Sequence, residues 1–184
     1  MKIWTDGVCE KNPGEMGIGI IMEDGTKFRK KLGYGTNNEA ECRAVIEALK
    51  IVQQKNIQGN ILYSDSELVV RWTHGNYQLK SDTAQMFIPQ IRRLLTITKT
   101  KIKWIPREQN EEADIESKKA MGYIIEKIES RSSKGKYYTI VVNKERTFMS
   151  CTCPDFQFRK NQNGYMCKHI KELEKDKRNR GGKQ

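Results

Sequence analysis

The alternation of apolar and polar positions changes period several times along the chain, and each change predicts an element. KIWTD (2–6) is a short apolar-rich run that stops at DGVCEKNPGEMG, where Gly, Asn and Pro predict a loop. IGIIM (18–22) and KFRKKLGYG (27–35) read as strands, the second with a polar outer side. Asp24-Gly25 between them is a hairpin signal, so the two are expected to be antiparallel. In TNNEAECRAVIEALKIVQQK (36–55), Ala44, Val45, Ala48, Leu49 and Val52 recur at helical spacing, and Asn37 or Asn38 can cap the start. NILYSDS (60–66) predicts a buried strand and ELVVRWTHG (67–75) a short helix closed by Gly75. DTAQMFIPQIRRLLTI (82–97) predicts a helix that Pro89 should break or kink. KIKWIP (101–106) is a last strand and EEADIESKKAMG (111–122) a last helix. Strand–helix–strand crossovers demand parallel neighbours, so the fold expected is α/β with a five-stranded mixed sheet flanked by helices.

After Gly122 the texture shifts. YIIEKIE alternates, SRSSKG is a turn, KYYTIVV a strand, and NKER turns the chain back into TFMSCTC. CKHIKELEKDKR is a short charged helix and NRGGKQ a frayed tail. Two domains are expected, 1–122 and 123–184, the second a small β-β-α module.

Charge follows the same division. The 184 residues carry 34 Lys/Arg and 23 Asp/Glu, a net +11. Residues 1–120 hold 19 basic and 16 acidic side chains, and residues 121–184 hold 15 and 7, so +8 of the excess sits in the last third. That balance points to an acidic partner such as nucleic acid, against the plainer reading of a solvated basic tail. No apolar run of about 18 residues exists, so no membrane span is expected. The opening MKIWTDGVCE is charged too early for a signal peptide. Five cysteines, two of them far from the rest, do not read as a secreted disulfide framework, and a cytoplasmic setting is expected.

Acidic residues in apolar surroundings are costly unless paired or bound to metal. Asp6 follows the first predicted strand, Asp65 ends the fourth, and these two strands can be neighbours. Glu41 begins the first long helix and Asp114 lies early in the last. Oxygen-only donors with no nearby His or Cys favour Mg²⁺ or Mn²⁺.

Taken in order, WTDGVCEKNPGEMGIGI, TNNEAE, YSDSELV and REQNEEAD resemble type 1 ribonuclease H, over residues 2–120. The resemblance implies that Asp6, Glu41, Asp65 and Asp114 hold two Mg²⁺ or Mn²⁺ ions. It implies an endoribonuclease that cuts the RNA strand of RNA–DNA hybrids, leaving a 5′-phosphate and a 3′-hydroxyl. It also implies minor-groove contacts from Asn12, Asn37, Asn38 and Glu67, from backbone at Gly7 and Cys9, and a phosphate contact from Thr36. Amides can read the 2′-hydroxyl, which both donates and accepts; for Asn37 and Asn38 helix capping is the simpler role. The sequence departs from many bacterial members in lacking a catalytic His before the last helix. Arg107 stands there, as in a loop-less subgroup. It stays charged and cannot shuttle protons, but can hold a phosphate or stabilise the leaving group; a plain surface Arg is the alternative. No basic gripping segment is evident near residues 76–84, and His74 is expected on a solvent-facing helix surface.

Cys151 and Cys153 are spaced by two at a strand end, so both side chains point the same way before Pro154 stops the strand. Cys167 and His169 repeat the spacing where the last helix begins. Four such ligands suit one structural, tetrahedral Zn²⁺; a redox cluster or unpaired thiols is the alternative. CTCPDF and CKHI at this spacing resemble the SWIM zinc finger over residues 123–174, a family associated with binding nucleic acid or protein. Arg159, Lys160, Lys168, Lys171, Lys175, Lys177, Arg178 and Arg180 would supply phosphate contacts, with Phe156, Phe158 and Tyr165 interleaved. Cys42 is expected to be a small packing residue. The sequence reading is therefore a monomeric ribonuclease with a zinc-stabilised substrate-binding module and no assigned protein partner. The alternatives are a metal-dependent nuclease preferring double-stranded RNA or branched DNA, a non-catalytic hybrid-binding protein, which four intact carboxylates argue against, and a module that docks protein.

Overall fold

The computed structural model of the protein describes residues 1–130, 132–147, 149–159 and 165–181, with the side chains of 176–181 excepted. The chain divides into two compact units, Met1–Met121 and Gly122–Gln184.

The first unit is built on strands β1 (Lys2–Cys9), β2 (Gly14–Met22), β3 (Lys27–Gly35), β4 (Ile61–Ser64) and β5 (Lys101–Trp104) in the order β3-β2-β1-β4-β5. The hairpin-linked strands β1, β2 and β3 are antiparallel, while β1–β4 and β4–β5 are parallel. The mixed sheet expected from the crossovers is present. Helices α1 (Asn37–Gln54), α2 (Glu67–His74) and α3 (Asp82–Thr98) build the main core with the sheet: Ile3, Ile20, Leu62 and Ile102 meet Val45, Leu49, Val52, Trp72, Ile88 and Ile91. Cys42 is fully buried in this core, as its expected packing role requires. Helix α4 (Glu111–Ala120), preceded by a 3₁₀ turn at Arg107–Gln109, packs on β1, β2 and β3.

Several local expectations give way. Asp6 does not follow a strand: β1 runs through it to Cys9 and pairs with β2 from Ile3↔Met22 to Cys9↔Met16. Gly7, which read as loop, and Gly19, in the strand expected after it, both lie within these strands, where bare backbone admits a helix. A Cβ on Gly7 would collide with the backbone of Ala40 and Glu41, and one on Gly19 with the backbone of Ala113 and Ser117. Thr36, not Asn37 or Asn38, caps α1, its hydroxyl accepting from the Glu39 N–H at 3.3 Å. Helix α3 continues through Pro89, which sits exposed beside Gln90, so the carbonyl it leaves without a donor can be hydrated. Helix α2, by contrast, ends as expected on Gly75 in the left-handed region (φ 82°), with His74 exposed.

The second unit is more than a β-β-α module. Strands β6 (Ile124–Glu129), β7 (Tyr137–Val142) and β8 (Met149–Cys151) form an antiparallel sheet. Pro154 does turn the chain, and it also opens a short helix, α5 (Pro154–Arg159), at the position where a missing N–H costs nothing. Helix α6 spans Lys168–Gly181, into the stretch expected as a tail. Lys160 and the side chains of Lys177, Arg178 and Arg180 lie outside the described residues.

Candidate functional site

Parallel pairing of β1 with β4 ends in Thr5↔Ser64, so the next residues, Asp6 and Asp65, emerge side by side. Gly7 lets the first turn of α1 lie against β1, which brings Glu41 over the same point. Carboxylate oxygens of Asp6, Glu41 and Asp65 all fall within 4.8 Å of one another. Asp6 and Glu41 are buried, and Asp65 is half-buried.

One oxygen of each carboxylate has a donor. The Ser117 hydroxyl donates to Asp6 Oδ2, the Gly7 N–H to Glu41 Oε2 (3.2 Å), and the Asn110 amide to Asp65 Oδ1 (2.7 Å). Burial pushes the Asp6 carboxyl up to about 7; the Ser117 hydrogen bond opposes this, and the charges of Asp114 and Asp65 add to it. Burial, then Asp6 and Asp65, holds Glu41 well above the ordinary carboxylate range. Three acidic groups this close favour ionisation only when a cation lies among them. An all-oxygen donor set therefore fits hard divalent ions, and such ions would release the retained protons on binding.

Asp114 lies outside this close set. It accepts from Arg107 Nη2 at 2.8 Å and from Lys118 Nζ at 2.5 Å, although its charge still acts on Asp6. Arg107 is thus tied to a carboxylate while its side chain stays largely exposed. The residues named for substrate contact gather partly around the start of α1. Asn12 Oδ1 accepts the Asn37 N–H at 3.1 Å, Thr36 forms the cap, and Asn38 is exposed. Cys9 Sγ lies 3.0 Å from the Lys11 carbonyl and 3.3 Å from that of Gly35, while Glu67 pairs with Arg71 on α2. Sequence reasoning missed Asn110, Ser117 and Lys118. The available signal was their helical spacing around Asp114.

In the second unit, ligand atoms of Cys151, Cys153, Cys167 and His169 also lie within 4.8 Å of one another, all buried. Cys151 ends β8, Cys153 precedes α5, and Cys167 and His169 stand at the start of α6. His169 Nδ1 is 3.8 Å from Cys151 Sγ and 3.9 Å from Cys167 Sγ. Burial pushes the Cys151 and Cys167 thiols up, so thiolates there need a metal. Three sulfurs and one imidazole nitrogen are the donor chemistry of structural zinc. Around it pack Ile140, Val142, Phe156, Ile170 and Leu173.

A five-stranded sheet of this order, with acidic residues converging from β1, α1 and the end of β4, defines the ribonuclease H-like class. The reverse transcriptase-like family model matches residues 4–120, and the SWIM zinc finger model residues 141–171. A protein of Enterococcus faecalis named as a hydrolase, EbsB, is 33% identical over 127 residues, covering 66% of this chain and 93% of that one. Ribonuclease H of Chlorobium phaeobacteroides is 34% identical over 109 residues, covering 53% and 73%. LC11-RNase H1, solved in complex with an RNA/DNA hybrid, is similar with a TM-score of 0.61 and 31% identity, covering 66% of this chain and 96% of that one. The chain belongs to the ribonuclease H-like family and carries a SWIM zinc finger behind that domain.

Proposed function

We propose that this protein is an endoribonuclease that hydrolyses the RNA strand of RNA–DNA hybrids, with a zinc-stabilised module that aids substrate binding. The observation that carries the reading is the convergence of Asp6, Glu41 and Asp65 from three separate elements, against the cost of burying like charges. Relatives named ribonuclease H, and one solved with a hybrid bound, support the same substrate class.

Asp6, Glu41 and Asp65 hold Mg²⁺ or Mn²⁺, and Asp114 completes the site from its ion pair with Arg107 and Lys118. A pair of such ions held there would supply an activated water and stabilisation of the leaving oxygen, for products with a 5′-phosphate and a 3′-hydroxyl. Asn12, Asn37 and Asn38 offer amides to the 2′-hydroxyls along the minor groove, with Gly7, Cys9 and Glu67 beside them, and Thr36 meets a phosphate. Arg107, fixed by Asp114, supplies a permanent positive charge toward phosphate. Cys151, Cys153, Cys167 and His169 hold a structural Zn²⁺, and Arg159, Lys168, Lys171 and Lys175 contact phosphates. Among the described residues no helix is long and apolar enough to cross a membrane.

The test is a cleavage panel with labelled RNA–DNA hybrid, double-stranded RNA, double-stranded and branched DNA, and single strands, each in Mg²⁺, Mn²⁺ or EDTA. Metal-dependent cutting of the hybrid's RNA strand alone is expected. Equal cutting of all-DNA duplex would overturn the assignment of the asparagines as 2′-hydroxyl readers.

A further inference from the structure

Helix α4 presents three polar residues, Asn110 at its cap, Asp114 and Ser117, at intervals of four and three, which places them along one face. Two of them are buried and touch the carboxylate cluster. Asn110 is the N-cap residue, yet its side chain forms no cap hydrogen bond. An Asn in that position ordinarily accepts an N–H of the first turn and so stabilises the helix. Here Nδ2 instead donates both to the Thr5 carbonyl (2.9 Å) and to Asp65 Oδ1 (2.7 Å), and Oδ1 is left buried without a partner. Both partners are acceptors, so the amide orientation is fixed by chemistry. Local stability is given up for a tether between β1, Asp65 and α4.

Ser117 tells a similar story. A serine within a helix commonly bonds back to a carbonyl of the preceding turn, and its hydroxyl does lie 2.9 Å from the Asp114 carbonyl. It also donates to Asp6 Oδ2, a bond that strengthens once Asp6 is ionised. The approach is possible because Asp6 pairs across the sheet with Gly19, whose missing Cβ leaves room for the backbone of Ser117.

We propose that α4 is the positioning frame of the carboxylate cluster, with Ser117 fixing Asp6 and Asn110 fixing Asp65 in the orientation that receives divalent ions. This rests on the reading of the cluster as the ion site of a ribonuclease. Neither side chain touches the substrate or the reacting atoms; each acts through the carboxylate it holds.

The test uses the full chain with Ser117→Ala and, separately, Asn110→Ser, which keeps a good cap residue but cannot span both acceptors. Mn²⁺ binding is measured by calorimetry, hybrid cleavage as kcat and KM, and folding by thermal melting without Mn²⁺. Each variant should bind Mn²⁺ about 10–100-fold more weakly, with kcat reduced by a similar factor. KM for the hybrid should be unchanged, and the melting midpoint should stay within about 3 °C of the unmodified protein. Mn²⁺ affinity within twofold of the unmodified chain in both variants would overturn the proposal. So would loss of the folded state in both, which would assign the two residues a structural role. A wild-type chain that binds Mn²⁺ but cuts no hybrid would overturn the ribonuclease reading while leaving the calorimetric comparison intact.

Discussion

Replacing Asp65 by Asn should make the metal-free protein more stable while destroying its activity. The three clustered carboxylates lie within 4.8 Å. At that distance and an effective dielectric constant of about 20, two unit charges repel by roughly 3.5 kcal/mol. The cluster escapes part of this by retaining protons, because Asp6 is pushed up to about 7 and Glu41 is held well above its usual range. Removing the Asp65 charge should therefore recover about 1–2 kcal/mol near pH 8. The new carbonyl can still accept the Asn110 hydrogen bond, so geometry is retained.

The pH dependence has a definite sign. Asp6 binds its proton more tightly folded than unfolded, so its contribution is fully present below the unfolded value near 3.8 and is lost as pH rises through about 7. A rise from 3.8 to about 7 is worth at most about 4 kcal/mol. Stability of the ion-free domain should thus decline across that window, and the advantage of Asp65→Asn should shrink toward about pH 5. Trp4, Trp72 and Trp104 all lie in the first unit, so their fluorescence follows that unit alone during melting. In Mg²⁺-free buffer near pH 8 the variant should melt about 3–6 °C higher than the unmodified chain. Saturating Mg²⁺ should then raise only the unmodified chain appreciably, and hybrid cleavage should be lost in the variant with binding kept. A variant that melts lower without metal, or gains as much from Mg²⁺, would refute the electrostatic reasoning.

Gly7→Ala should lower stability by about 1–3 kcal/mol, read as a shift of the denaturant midpoint, because the added methyl meets backbone of Ala40 and Glu41 and no rotamer can relieve it. Deleting residues 123–184 removes 15 basic and 7 acidic side chains, a loss of +8, and should raise KM with little change in kcat. If the module neutralises about three phosphates, the slope of log K against log salt should fall by about 2–3 units, with a weaker effect for Cys167→Ser, and an unchanged KM and slope would favour protein docking.

The mixed sheet and the nearness of Asp6 to Asp65 were legible, because a helix between the third and fourth strands returns the chain parallel to the first, which lets strands one and four be neighbours. The length of β1 was not. Glycine carries two meanings, turn and close approach, and sequence composition favours the first. In DGVCEKNPGEMGIGI the second holds at Gly7 and Gly19, where α1 and α4 lie on the sheet. Pro89 does not break α3 for a related reason, since its cost depends on whether the helix face it occupies is wet.

Asp6 and Asp65 stood out because an acid read at a strand end needs a reason to be there. Asn110 and Ser117 did not, because a small polar residue in a charged helix such as EEADIESKKA is ordinary until its partner is known. The two blind spots share one cause. Gly7, which looked like loop, and Gly19, inside a predicted strand, are what allow α1 and α4 close enough for Glu41 to join Asp6 and for Ser117 to reach it. A bulkier residue at Gly19 would hold α4 away from β2 and take Ser117 from Asp6. The cluster's repulsion opposes its own assembly, so the packing of two helices against bare backbone must hold the acids in place until cations arrive.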